Sequence, residues 1–206
     1  GSMIMGYTDQ AHAGYREQES IEKKQFHFLY DWKTNSKGKV YMLAYHYTGS
    51  WGLAGAIDSA AVVDDPRQAA EYSKDHDAHV HRVRTRFGIG VKQELGKVVK
   101  LNINGYGNFS SKETPYGTSP FFQGWKRETA QGYGTRAISD WNLYNNKNRS
   151  ISLLLGAEYQ KEFQVLKEYV NNMGVVGDMK FDNETTSEQT LAFADLRYND
   201  DDWVVT

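Results

Sequence analysis

The sequence predicts an all-β chain, an antiparallel up-and-down meander of about eight strands. Three observations predict it. Apolar and polar residues alternate with period two in segment after segment, which separates two faces in a strand and would mix them in a helix. Short polar turns and long connections alternate along the chain. Aromatic residues make up 14%, Gly is plentiful at 19 and Pro scarce at 3, a balance that suits strands and turns.

The strands follow in order. Phe26, Phe28, Tyr30 and Trp32 alternate with His27, Leu29 and Asp31. Tyr41, Leu43, Tyr45 and Tyr47 alternate with Met42, Ala44 and His46. From His81 to Val91, one face carries His81, Val83, Thr85, Phe87, Ile89 and Val91. The other carries Arg82, Arg84, Arg86, Gly88 and Gly90. Val99, Leu101 and Ile103 oppose Lys100, Asn102 and Asn104. Ile151, Leu153, Leu155, Ala157 and Tyr159 oppose Ser152, Gly156 and Glu158. Leu191 to Tyr198 alternates less cleanly, with Leu191 and Phe193 set against Ala192, Ala194 and Leu196.

Short turns are expected at Thr34–Gly38, Glu94–Gly96, Asn145–Asn148 and Asn199–Asp202, where Asn, Asp and Gly tolerate tight-turn dihedrals. Long loops are expected at Ala11–Ser20, Gly49–Ala78, Ser110–Lys126 and Val165–Thr186. The second of these carries a helix signal over Arg67–Tyr72, with Asp65 as N-cap, Pro66 in the first turn and Gln68 at capping-box spacing. The strand glycines of Gly88-Ile-Gly90, Gly105-Tyr-Gly107 and Gly132-Tyr-Gly134 read as bends or bulges that let a sheet curve.

A meander with short and long connections in alternation puts all the short turns at one end. Outer-membrane barrels have this asymmetry, and a soluble sandwich has less reason for it. Trp32, Tyr47, Trp51, Trp125, Trp141, Tyr144, Tyr159 and Trp203 fall near strand ends, where interfacial aromatic girdles would sit. The mean hydropathy of −0.69 agrees with a barrel, in which only alternate residues meet lipid. No apolar run approaches the ~20 residues of a transmembrane helix.

The 206 residues are read as a single barrel segment, with Gly1 and Ser2 as a tag scar. A net charge of −2 argues against nucleic-acid binding. Without cysteine there is no disulfide framework and no thiolate chemistry. No acid–base pair, nucleophile elbow or phosphate loop stands out, so no enzyme activity and no cofactor are expected.

Several stretches resemble TonB-dependent outer-membrane receptors of the siderophore-receptor type. They are Tyr106-Gly-Asn-Phe-Ser-Ser-Lys-Glu-Thr-Pro-Tyr-Gly-Thr-Ser-Pro120, Trp51-Gly-Leu-Ala-Gly-Ala-Ile57 with Asp65-Pro-Arg-Gln-Ala69, Leu155-Gly-Ala-Glu-Tyr-Gln160 and Ala192-Phe-Ala-Asp-Leu-Arg-Tyr198. The resemblance implies a barrel of roughly twenty-two strands around a plug, an outer-face site for a ferric chelate or similar scarce nutrient, and import driven by the TonB complex. It places the chain in the middle of that barrel, in the outer membrane, with lipid or detergent against its apolar faces. A segment of this length would not transport by itself. Its two open edges imply edge-to-edge self-association or premature closure.

Candidate site residues follow. Trp51, Tyr116, Phe121, Phe122 and Trp125 are loop aromatics suited to an outer ligand site. Arg82, Arg84 and Arg86, with Lys100 and Arg136, form a basic ladder on the polar face. Such a ladder would guide an anionic chelate, meet an acidic plug surface, or be neutralised by Asp31, Asp140 and Glu158. His79 and His81 share a strand face and are the weak candidate for a metal. Solvated loop histidines are the plainer reading, and no metal is expected. The rival reading of the whole chain is a self-contained eight-stranded binding or adhesion barrel, filled by its own side chains.

Overall fold

The computed structural model describes residues 1–119, 121–146, 148–200 and 203–205. Its strands are β1 (Ser2–His12), β2 (Ile21–Asn35), β3 (Gly38–Gly52), β4 (His79–Leu95), β5 (Val99–Ser119), β6 (Phe122–Asn145), β7 (Arg149–Asn172), β8 (Val175–Asp200) and β9 (Trp203–Val205). They form one sheet in sequence order, and each neighbouring pair is antiparallel. The expected meander is therefore present, as eight long strands and a three-residue ninth. The expected turns at Asn145–Asn148 and Asn199–Asp202 fall partly outside the described residues.

Register partners share a face, so the ladder assigns every strand residue to one of two sides. One side is apolar through its middle: Phe28, Tyr30 and Trp32 of β2, Phe87, Ile89 and Val91 of β4, Leu101 and Ile103 of β5, Leu153 and Leu155 of β7. The other side is mostly polar. The uneven alternation in β8 resolves in these terms. Ala192, Ala194 and Leu196 continue the apolar side, while Phe193 lies on the polar side over Gly156. A bulge between Asn142 and Tyr144 returns Tyr144 to the side of Trp141.

The apolar side is not packed against anything in this chain. Trp32 is 55% exposed, Phe87 61%, Ile89 51% and Leu196 59%. Among the described residues, the buried apolar side chains are Ala54, Ala69, Ala78 and Val80, in or beside the β3–β4 connection, and Pro115 on β5. A small soluble barrel would instead bury one whole set of alternate residues.

Four expectations are corrected. Ser110–Lys126 and Val165–Thr186 are not long loops. They are continuations of β5–β6 and β7–β8, which turn at Phe121 and at Met173-Gly174. These extensions carry charged residues on both sides, so they lack a clean apolar alternation. Cross-strand pairs such as Lys112–Glu128 (2.7 Å), Lys167–Asp182 (3.1 Å) and Lys161–Glu188 (3.2 Å) accompany their ladder. A strand of 24 residues such as β7 spans about 80 Å, and a bilayer core needs ~30 Å of it.

The expected helix over Arg67–Tyr72 is replaced by α1 (Ser59–Asp64) and α2 (Glu71–Asp75). Asp58, not Asp65, supplies the N-cap, accepting from the Ala61 N–H at 2.8 Å. Asp65 closes α1 and accepts from the Arg67 N–H, and Gln68 donates to the Ala61 carbonyl instead of forming a capping box.

None of the six strand glycines lies at a register shift. Three of them, and Gly156, are seats for aromatic rings on the facing strand: Tyr41 over Gly90, Phe87 over Gly107, Tyr106 over Gly134 and Phe193 over Gly156, each a direct register pair. A Cβ at any of these glycines would collide with the ring.

Among the described residues, the sheet does not close on itself. β1 and β9 stand at opposite ends of the sheet order, and β9 pairs with β8 only from Tyr198 to Asp200.

Candidate functional site

The polar side of the sheet carries the candidate machinery. Its centre is the arginine ladder of β4. Arg84 faces Tyr47 on β3 and Ser110 on β5, and Arg86 faces Tyr45 and Asn108. Arg82 faces Gly49 and Lys112, and Lys112 itself pairs with Glu128. In register, Arg84 and Arg86 thus have tyrosine, hydroxyl and amide neighbours, and Arg82 has a glycine and a lysine.

Among the described residues, none of the three arginines makes an ion pair. Two of the carboxylates expected to neutralise them are used elsewhere. Asp31 pairs with Lys39 at 2.7 Å, and Glu158 with Arg136 at 3.6 Å. Asp140 stands opposite Lys100 near the short-turn end. Lys100 does not sit beside the ladder: it lies eight residues along β5 from Asn108, the partner of Arg86, or about 27 Å. Arg136 is also displaced from the ladder, since it lies opposite Asn104.

The long-connection end is built as one interlocked unit. From the β1–β2 loop, Arg16 donates to the Gly55 carbonyl (2.7 Å) and the Gln68 carbonyl (2.9 Å). Gln18 donates to the carbonyls of Ser73 (2.9 Å) and Ala78 (3.1 Å). Glu17 accepts from the Ala69 N–H (3.1 Å) and from Lys74 (3.3 Å). The Ala69 contact first, then Lys74, hold its carboxyl below the usual range.

The β3–β4 connection in turn docks on the extensions. Ser73 donates to the Gly117 carbonyl (3.4 Å), the His76 ring lies against Gly117 and pairs with Gln123, and Asn171 of β7 donates to the His76 carbonyl (2.8 Å). Ser73, His76 and Asn171 are buried. The sequence shows His76 only as a neighbour of His79 and His81, and it hides the docking role of His76 and Asn171 because their partners lie 47 and 95 residues away.

The structure divides the five candidate aromatics. Tyr116 and Phe122 are in contact, with ring centroids 5.2 Å apart, and Lys126 lies over the Tyr116 ring at 5.5 Å. Trp125 is on the opposite side of the same hairpin, donating to Glu113 at 2.5 Å and meeting the His79 ring edge-on. Phe121 is fully exposed at the hairpin tip, and Trp51 lies on β3 opposite Val80.

The girdle residues divide as well. Trp32, Trp141, Tyr144 and Tyr159 lie on the apolar side, Trp125 follows them on the extension, and Tyr47 and Trp51 belong to the polar side. The Trp203 side chain is outside the description. His79 is engaged by Asp77, and no group of three or more metal-ligating side chains occurs among the described residues.

No protein-family model and no curated protein matches the chain. Solved structures do. The ferric citrate transporter FecA in its unliganded form superposes with a TM-score of 0.85 at 13% identity, covering 98% of this chain and 31% of that one. BauA, the ferric preacinetobactin receptor of Acinetobacter baumannii, gives 0.65 at 12% identity, covering 95% and 33%. The RagAB peptide transporter gives 0.61 at 11% identity, covering 98% and 28%. The chain thus spans about a third of the length of the solved chains it matches. In fold, the chain is an antiparallel segment of the kind of β-barrel that these solved structures contain.

Proposed function

We propose that the chain forms part of the barrel wall of an outer-membrane active transporter. The observation that carries this reading is the opposition of the two faces. One is an exposed apolar belt with no packing partner in the chain, and the other carries an unneutralised arginine ladder. An apolar belt on a closed barrel meets lipid, which places the polar face and its arginines around the lumen. Sheets that expose this much apolar surface need an apolar phase or a partner to cover it.

The cargo in this reading is a ferric chelate or a comparably scarce nutrient. Arg82, Arg84 and Arg86 suit carboxylate-bearing chelates, because guanidinium groups bind carboxylates in a planar two-point fashion. FecA, a ferric citrate transporter by name, supports the same class. In this reading Tyr116, Phe122 and the exposed Phe121 would contact cargo at the long-connection end, with Trp51 as a further aromatic contact on the polar side, and Trp125 would hold the other side of the hairpin. The TonB complex energises import in the whole receptor, a plug fills the lumen, and the segment itself does not transport and has no enzyme activity. Its open β1 and β8 edges pair with the remaining strands, or with another copy when these are missing.

The test is titration of the detergent-solubilised chain with ferric citrate. Saturable binding that falls at least tenfold in the triple variant Arg82→Gln, Arg84→Gln, Arg86→Gln is expected. Equal binding by the triple variant would remove the arginine ladder from the cargo path.

A further inference from the structure

The polar side chains of β4 stop at Arg86 and resume at Lys92, with only Gly88 and Gly90 between them on that face. Beside this gap the neighbouring strands turn apolar. Ile4 of β1 stands opposite Leu29 of β2, Leu29 opposite Leu43 of β3, and Leu43 opposite Gly88. Three aliphatic side chains thus form one cross-strand row on the side that carries the arginines. They are not core, since Ile4 is 59% exposed, Leu29 47% and Leu43 39%. Register also separates them from the apolar belt on the other side of the sheet.

The row makes a flat floor with cationic borders. A Cβ at Gly88 would already touch Leu43, at 3.4 Å, and the Tyr41 ring is laid down over Gly90. A cavity of about 270 Å³ opens on this floor, lined by Ile4, Leu29, Leu43 and Tyr41 together with Lys39 and Lys92. Asp31 lines it too, held by Lys39 at 2.7 Å. At the other border, Arg86 is two residues along β4 from Gly88, or about 7 Å.

We propose that this floor is a subsite for the apolar body of an anionic cargo whose acidic groups lie on Arg84 and Arg86. Small-molecule sites pair an apolar lining with a few charged groups that fix orientation, and the floor and its borders have that composition. An acidic polypeptide would satisfy the cations and leave Ile4, Leu29 and Leu43 unmatched. A lipid chain approaches from the other side of the sheet. The inference rests on the proposed reading that cargo passes this face, and it narrows that cargo from a compact polycarboxylate chelate to an amphiphilic one.

The experiment uses the chain in detergent and two probes, the ferric complexes of citric acid monomethylamide and monobenzylamide, which differ only in a phenyl ring. The parent is expected to bind the benzylamide complex about tenfold more tightly, as burial of one ring implies. Leu29→Asn/Leu43→Asn should bring the two affinities within about twofold of each other and leave that for the methylamide complex unchanged. The triple variant Arg82→Gln, Arg84→Gln, Arg86→Gln should weaken both. Equal binding of the two probes by the parent, or an unaltered preference in the leucine variant, overturns the proposal.

The chain has no cysteine, so the thiol introduced by Leu29→Cys is unique and gives a second readout. Its alkylation by a maleimide should be slowed by the benzylamide complex and not by the methylamide complex. A thiol that is unreactive before cargo is added would mean that polypeptide already covers the floor. Equal protection by phosphatidylglycerol nanodiscs would make the floor a lipid seat. Either result overturns the proposal. If the parent binds both probes saturably but without preference, only the apolar subsite falls. If it binds neither, the cargo reading of the arginine ladder falls and takes this inference with it.

Discussion

The Tyr116 hydroxyl donates a 2.6 Å hydrogen bond to Glu168 across two strands of the outer extension. Burial, and then this contact with a carboxylate, push the phenol up to about 12. The folded chain therefore holds the Tyr116 proton between roughly pH 10 and 12, where an unfolded chain releases it. Stability from this group is fully present below pH 10 and is lost as pH rises toward 12. In ultraviolet titration, the difference between the parent and Tyr116→Phe should have its midpoint near 12. A midpoint near 10 would mean that the contact is not formed.

Glu113 holds two donors on the other side of the same hairpin, Trp125 at 2.5 Å and Arg127 at 2.8 Å. Burial raises its carboxyl, and the hydrogen bonds from Arg127 and Trp125 outweigh that effect and leave it below the usual range. Its contribution is present above the ordinary carboxylate range and is lost as pH falls through the lowered value. Because the pair is partly exposed, Glu113→Gln should cost only about 1 kcal/mol. The check is Trp125 fluorescence, expected to shift red in Glu113→Gln and on acidification of the parent.

Asn171 fastens the β3–β4 connection to β7, with its amide on the His76 carbonyl (2.8 Å) and its oxygen accepting from the Gly174 N–H (2.9 Å). Asn171→Ala should cost about 1–3 kcal/mol, because buried polar groups are left unpaired. Hydrogen exchange of residues 71–78 should accelerate, while that of β4 through Phe87–Val91 should not change.

Phe193 lies over Gly156 with no room for a Cβ between them. Gly156→Val should destabilise by about 1–3 kcal/mol through forced displacement of the ring. Combining it with Phe193→Ala should cost clearly less than the sum of the two single changes, as contacting residues do in a double-mutant cycle. Additive costs in denaturant unfolding would contradict this seating.

What the sequence made legible was local. The alternation of Phe87, Ile89 and Val91 against Arg86, Gly88 and Gly90 needs no partner to be read, and it identified β4 and its two faces. The outer extensions escaped because Lys112, Glu128, Lys167 and Asp182 make both faces polar, and their stabilising contacts lie on other strands. Gly90, Gly107 and Gly134 were misread for the same reason: Gly90 is explained by Tyr41, 49 positions earlier. Tyr47 and Trp51 looked like girdle residues until register placed them on the side of the arginines. Lys33, Lys39 and Lys92 form one cross-strand row that is likewise invisible in sequence, since they meet only through pairing.

The most direct test of the account is size-exclusion chromatography with light scattering, run on one sample with and without detergent micelles. The account predicts a monodisperse species only when detergent is bound, because Trp32, Phe87, Ile89 and Leu196 require an apolar phase. A compact, detergent-free monomer would contradict it and would favour the self-contained soluble barrel.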